Sequence, residues 1–238
     1  VILVGSGALL WRAARFASAS DFTVDLVCTG PGDAAPAGLE ALAHLETTDL
    51  DAEVATVADA CTDSVVWSIN NPMIFGPAFV DSDLRIYNIH NGPLPEFRGL
   101  PAAAIVHAIL QGRDEYAATL HRVDSGIDTG AVVDVERFAI APDDRFQDVM
   151  MNGLRACHEL FERSLHAVMT GPEPSGPPAA VVPGGYYGAA SIRELRGHRG
   201  NANFERATAL GVFAPRYPAI AAVAAGGAAP DLEAAGLM

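Results

Sequence analysis

The sequence predicts an α/β fold: a mostly parallel sheet flanked by helices, with a small C-terminal α+β appendage. Three observations carry this. Apolar runs of strand length alternate with helical patterns through the first half of the chain. A glycine turn follows the first run, in "VILVGSGALLW". A polar Asn-x-His pair closes the run "LRIYNIH", and open parallel sheets hold their ligands beyond the carboxyl ends of such strands.

Each element follows in order. Val1 to Val4 reads as a strand, Gly5-Ser6-Gly7 as a tight turn, and "ALLWRAARFASAS" as a helix. "FTVDLVCTG" is a second strand, "DLDAEVATVADA" a helix, "SVVWSI" a third strand and "LRIYNIH" a fourth. This alternation is that of a doubly wound, Rossmann-like sheet. "PAAAIVHAILQG" is a helix with Pro101 in its first turn and Gly112 as its stop. "YAATLHRVDSGIDTGAVVDVERFAI" gives two β arms around a glycine-bearing connection. "DRFQDVMMNGLRACHELFERSLHAVM" is a long amphipathic helix, and no internal repeat is visible. The prolines and glycines of "GPEPSGPP" then suggest a linker over 171–178. The expected organisation is a catalytic domain over 1–170, that linker, and a small subdomain over 179–238, with a β-like piece in "VVPGGYYG".

Composition narrows the function classes. The chain has 238 residues, 50% of them hydrophobic, enough to bury one sizeable core. The net charge of -14 argues against nucleic acid as a partner, since a phosphate-binding surface needs clustered Lys and Arg. No apolar run suits a membrane span, and "VILVGSGALLW" has neither the basic start nor the cleavage site of a signal peptide. The sequence opens on Val1 rather than Met, which leaves room for preceding residues. Three scattered cysteines, Cys28, Cys61 and Cys157, lack metal-ligand spacing, so reduced thiols, a cytoplasmic location and no metal are expected. A homodimer is compatible with the sequence.

The first glycine turn invites a nucleotide reading. Gly5-Ser6-Gly7 begins a GxGxxG pattern, but Leu10 stands where the third glycine belongs. The acidic residue expected after the second strand would be Asp33, which follows "TGPG". Glycines that let a strand turn tightly into its helix are the favoured reading.

The strand end "NIH" carries more chemistry. Side chains two apart on a strand share a face, so Asn88 and His90 address one site together. Asn offers an amide donor to a developing oxyanion, and His moves a proton near neutral pH. That pair suits attack on a carbonyl. A carboxylate to orient the His is available in "HRVDSGIDTG", as Asp124 or Asp128, and either also suits a turn. His107, in an apolar helical run, is expected to be packed, and Trp11 and Trp67 to be core residues. "RELRGHR" is a small basic patch, by default a solvated face.

The stretch "NIHNGPLPEFRGLPAA", with "RVDSGIDTG" downstream and "NPMIFGPAFV" upstream, resembles the 10-formyltetrahydrofolate-dependent formyltransferases. That family includes the glycinamide ribonucleotide, methionyl-tRNA and sugar N-formyltransferases. The resemblance runs from about Val1 to Met169, with several motifs in the family's order. It implies Asn88, His90 and Asp128 as catalytic residues and 10-formyltetrahydrofolate as cosubstrate, with no metal. Asn88 would hold the formyl oxygen, and His90 would assist the proton movements of a tetrahedral intermediate. Asp128 would orient His90. Met73, Ile74 and Phe75 would form one wall of the cosubstrate pocket; Val123, Asp124, Gly126 and Ile127 would form the other. Pro95, Arg98 and His121 are implied more weakly as substrate-binding residues.

Pro93 of "NGPLP" departs from the Ser and Leu-Leu-Pro of many members and changes the loop's hydrogen bonding. The tail resembles that of small-molecule amine formyltransferases. The expected function is therefore formyl transfer to the primary amine of a small molecule of specialised metabolism, an amino sugar or an amino-acid-derived amine. Glycinamide ribonucleotide or methionyl-tRNA formylation, formyltetrahydrofolate hydrolysis, and a non-enzymatic nucleotide-binding module stand as alternatives.

Overall fold

The computed structural model describes residues 1–171 and 184–227. The expected linker over 171–178 therefore lies, apart from Gly171, outside the described residues, as do the first residues of "VVPGGYYG". Packing groups the chain into two units that interleave along it. The first comprises Val1–His90, Thr119–Val135 and the stretch from Cys157; the second comprises Asn91–Ala118, Glu136–Ala156 and the described residues from Gly184 on. The second unit thus draws on residues before and after the expected boundary at 170.

The chain opens with β1 (Ile2–Gly5), α1 (Gly7–Ala19), β2 (Leu26–Thr29), β3 (His44–Glu46) and, after a 3-10 turn, α2 (Val54–Ala60). Next come β4 (Val65–Ile69), α3 (Pro77–Val80), β5 (Arg85–His90), β6 (Phe97–Gly99) and α4 (Pro101–Leu110). The two β arms are β7 (Glu115–Arg122) and β8 (Val132–Ala139), and the long helix is α5 (Phe146–Thr170). The C-terminal part holds β9 (Gly185–Tyr187), α6 (Ala189–Glu194), α7 (Phe204–Ala207) and α8 (Pro218–Ala224).

Seven strands form one sheet in the order β3-β2-β1-β4-β5-β7-β8. Its first five strands pair in parallel, and β7 is antiparallel to β5. The expected mostly parallel sheet flanked by helices is what forms. Strand order reverses between β1 and β4, the switch point where such sheets open a crevice. Gly5 ends β1 there. A Cβ on it would lie 1.9 Å from the carbonyl oxygen of Ile69, so only glycine allows that approach.

In the first unit both faces of the sheet are covered, which explains the continuous apolar runs. On one face Ile2, Val4, Leu26, Cys28, Val66 and Ile86 pack with Leu50, Val57 and Phe79. Each such large side chain contributes about 2 kcal/mol through burial. The other face carries Trp67, whose ring meets Phe161 of α5 edge-on at 5.0 Å, and Phe16 of α1 meets Phe161 at 6.2 Å. Trp11 and Trp67 are both buried, as expected.

The second unit is built around α4, whose residues Ala102 to Leu110 are all buried. Phe97, Tyr116, Phe146, Ile192, Leu195 and Phe204 pack against it. His107 is buried there, as expected, with Nε2 3.3 Å from the carbonyl oxygen of Ser191. A second small sheet pairs β6 with β9 in parallel. No described helix is long and apolar enough to cross a membrane.

Candidate active site

Asn88 and His90 end β5, and alternation places both on one face of the sheet. The antiparallel partner strand sets the next contact. Asn88 is the register partner of His121, and His90 that of Thr119. His121 therefore stands beside Asn88 on the same face, as opposed residues of a pair do. The Asn88 amide nitrogen lies 3.0 Å from His121 Nε2.

The tautomer of His121 follows from its other nitrogen. Nδ1 lies 2.9 Å from the carbonyl oxygen of Arg122, which can only accept, so Nδ1 carries a proton. In the neutral ring Nε2 is then the acceptor, and it takes an N–H of Asn88. That fixes which way the Asn88 amide faces and commits one of its two N–H groups.

Asp128 comes from the connection between β7 and β8. Its Oδ2 lies 3.4 Å from His90 Nδ1 and its Oδ1 3.5 Å from His121 Nε2, so one carboxylate spans both imidazoles. Its side chain is only 11% exposed, and the two histidine side chains less than that. With so little water around it, the Asp128 carboxylate acts on a protonated ring more strongly than it would in water. Asp128 has φ +53°, in the left-handed region that Asp tolerates better than most residues.

The rest of the connection holds this carboxylate in place. Gly130 passes so close to the preceding strand that a Cβ would lie 1.8 Å from the Arg122 carbonyl oxygen. The Arg122 N–H donates to the carbonyl of Ala131 at 2.8 Å. Asp124 Oδ1 accepts from the Gly126 N–H at 3.0 Å and from the Thr129 hydroxyl at 2.6 Å. Of the two carboxylates weighed from sequence, Asp124 braces the turn and Asp128 faces the histidines.

The residues expected to wall the cosubstrate pocket fall into two groups. Met73, Phe75 and Val123 are half-buried against one apolar cluster of the first unit. Ile74 and Ile127 remain 58% and 41% exposed, large apolar surfaces left to solvent. Gly126 lies in the exposed part of the Asp128 turn. Pro95 and Arg98 belong to the second unit, with Arg98 on β6 opposite Tyr186 of β9.

Sequence reasoning carried His121 only as a weak substrate contact and missed its bond to Asn88. Its signal was available in the pairing of the two strands, because opposing "NIH" with "TLH" in antiparallel register brings the side chains together.

The family model described as Formyl transferase matches residues 42–165. The methionyl-tRNA formyltransferase of Burkholderia vietnamiensis (strain G4 / LMG 22486) is 53% identical over 57 residues, which are 24% of this chain and 17% of that protein. A sugar N-formyltransferase structure from Shewanella sp FDAARGOS_354 superposes with TM-score 0.67 at 20% identity, covering 82% of this chain and 78% of that one. An N-formyltransferase from Helicobacter canadensis, solved with folinic acid and dTDP-3-aminofucose, gives TM-score 0.64 at 19% identity over 81% of this chain and 72% of that one. At such identities the solved structures establish a common fold.

Proposed function

Because the chain belongs to the formyl transferase family, we propose that it transfers a formyl group from 10-formyltetrahydrofolate to the primary amine of a small molecule. The arrangement of Asn88, His90 and His121 around Asp128 carries this reading. The cosubstrate supplies an activated formyl group and a nitrogen that leaves with a proton. The half-buried Met73, Phe75 and Val123, beside the exposed Ile74 and Ile127, offer apolar contact to the faces of the cosubstrate's fused ring, which would cover surface now open to water.

The side chains divide the work. Asn88 gives one N–H to His121 and has a second for the formyl oxygen as it takes negative charge. His90 receives the proton that the attacking amine must lose and returns one to the departing nitrogen. Asp128 holds the ring of His90 and favours its charged form through opposite charge. The C–N bond to the acceptor forms first, giving the tetrahedral intermediate, and the bond to the donor nitrogen then breaks, so no external redox partner is needed.

An amino sugar or amino-acid-derived amine of specialised metabolism is the favoured acceptor. The likeness to the Shewanella and Helicobacter canadensis structures supports it, the latter solved with dTDP-3-aminofucose. The negative charge of the chain supports it over a tRNA. The test is mass spectrometry of an amine panel incubated with 10-formyltetrahydrofolate, scoring the gain of one formyl group. Formate release without any amine would instead support the hydrolase, and NAD binding without a folate-dependent thermal shift would sink the formyltransferase reading.

A further inference from the structure

We propose that Asn91 is a positioning residue for His90, gripped by a buried latch that fixes how the chain leaves β5. Consecutive side chains of a strand turn to opposite faces. His90 turns toward Asp128, and Asn91, directly after the strand, meets α5 instead. His90 also ends a stretch of the first unit and Asn91 begins one of the second, so the grip acts where the chain passes between them.

Three contacts make the latch. The Tyr116 hydroxyl of β7 donates to the Asn91 carbonyl oxygen at 3.3 Å. The Asn91 amide N–H donates to Met150 Sδ at 3.6 Å. The same amide fills the slot that Gly153 leaves in α5. A Cβ on Gly153 would lie 2.2 Å from Asn91 Oδ1 and 2.8 Å from its Cγ and Nδ2. Asn91 and Tyr116 are both buried.

Two features show that the latch serves geometry rather than stability. Glycine inside a 25-residue helix is less favourable than alanine, and the amide against Gly153 supplies the reason for it. Asn91 Oδ1 is buried with no hydrogen-bond donor among the described residues, a cost that an apolar side chain of similar size would avoid. The peptide before Asn91 carries His90, and the carbonyl held by Tyr116 belongs to the peptide after it. Holding side chain and carbonyl together fixes the two dihedrals between those peptides, and with them the setting of His90. What this does for catalysis rests on the formyl-transfer reading; the latch itself does not.

The test has three readouts on the full chain. Thermal midpoints of Gly153→Ala, Asn91→Ala and the double variant come first. Gly153→Ala is expected to lower the midpoint in wild type and to raise it in Asn91→Ala, where the obstacle is gone and alanine favours the helix. The same sign in both backgrounds overturns the latch. Next, the His90 imidazole resonances, identified by their loss in His90→Ala, should move in Gly153→Ala and in Tyr116→Phe. Unmoved resonances overturn the positioning role. Neither readout needs folate or amine, so both stand apart from the transfer assay. Finally, kcat for an acceptor that wild type formylates is expected to fall about 10- to 100-fold in both variants, as a misplaced group near the chemistry costs, with KM for the folate held. It is measured well below each midpoint, where a merely destabilised protein would keep its wild-type rate. Wild-type kcat there overturns the proposal, whereas a wild type that formylates no amine sinks the formyl-transfer reading and leaves the first two readouts to decide the latch. Should Gly153→Ala fail to fold, Tyr116→Phe, which removes only the hydroxyl, decides by resonances and kcat.

Discussion

Asn88 and His121 oppose each other across β5 and β7, and the amide of one donates to the ring nitrogen of the other at 3.0 Å. That bond sets the direction in which the Asn88 amide faces, and we propose His121 as a positioning residue for the N–H that remains. Replacing it by Phe keeps the bulk and removes the acceptor. An expected loss of about 10- to 100-fold in kcat follows, a fraction of the 10²–10³ that losing a whole oxyanion donor costs. KM for the folate should hold, and His121→Gln, which restores an acceptor, should recover part of the rate. Unchanged kcat in His121→Phe would remove His121 from this role.

His90→Ala and Asp128→Ala are expected to lower transfer by at least about 100-fold, the lower range of general acid–base contributions. Asp128→Asn is the sharper probe, since Asn also tolerates the left-handed backbone at this position. It removes charge without adding strain. A circular dichroism spectrum like that of wild type, with activity lost, is the expected result; near-normal turnover in any of the three contradicts the assignment.

Gly130→Ala drives a Cβ into the carbonyl oxygen of Arg122, which lies 1.8 Å from where that atom would stand. The strand ends must part, so a loss of about 2–3 kcal/mol is expected, in the range of backbone strain and disrupted packing. Urea denaturation measures it. Asp128 should be displaced with the turn, so activity should fall more than stability alone explains.

Burial pushes the His107 imidazole below its ordinary value of 6.5, against a smaller opposing pull from the Ser191 carbonyl. His198 also disfavours the charge and Glu194 favours it. A histidine held neutral in the fold contributes stability above 6.5 that is lost as pH falls, because the unfolded chain then binds the extra proton. Unfolding midpoints between pH 7 and 5 should therefore decline less in His107→Gln than in wild type. Parallel declines would show that His107 does not contribute.

Burial also pushes the Cys28 and Cys157 thiols up to about 12. A thiolate is the reactive form, so both should resist a thiol reagent at pH 8 in the native protein. Cys61, half-buried, should react first, and all three should react in denaturant. Prompt native labelling of Cys28 would contradict the packing described for β2.

The long elements were legible in the sequence because their apolar patterns are long. The four central strands, α4, both β arms and α5 fall where periodicity puts them. β3 was missed because "HLE" offers one strongly apolar side chain and is recruited by pairing to β2. β6 and β9 are three residues each and exist through their mutual ladder, a tertiary property. The second strand was read from Phe22 but starts at Leu26. Within the candidate site, Asn88 and His90 were legible from strand alternation alone. Asp128 needed the family resemblance to be separated from Asp124, since both have the composition of a turn. The bonds of Asp33 to Gly7 and Trp11 depend on a loop fold that no local pattern announces.

The register of β5 against β7 has a broader meaning. Asn88 and His121 face each other because two backbones are zipped together, not because either side chain selects the other. The reactive geometry is thus inherited from the sheet's own ladder. A slip of one residue would turn one of them to the opposite face and dismantle the pair at a stroke. Register thus guards the Asn88–His121 pair, whereas the position of Asp128 is guarded by the turn between β7 and β8.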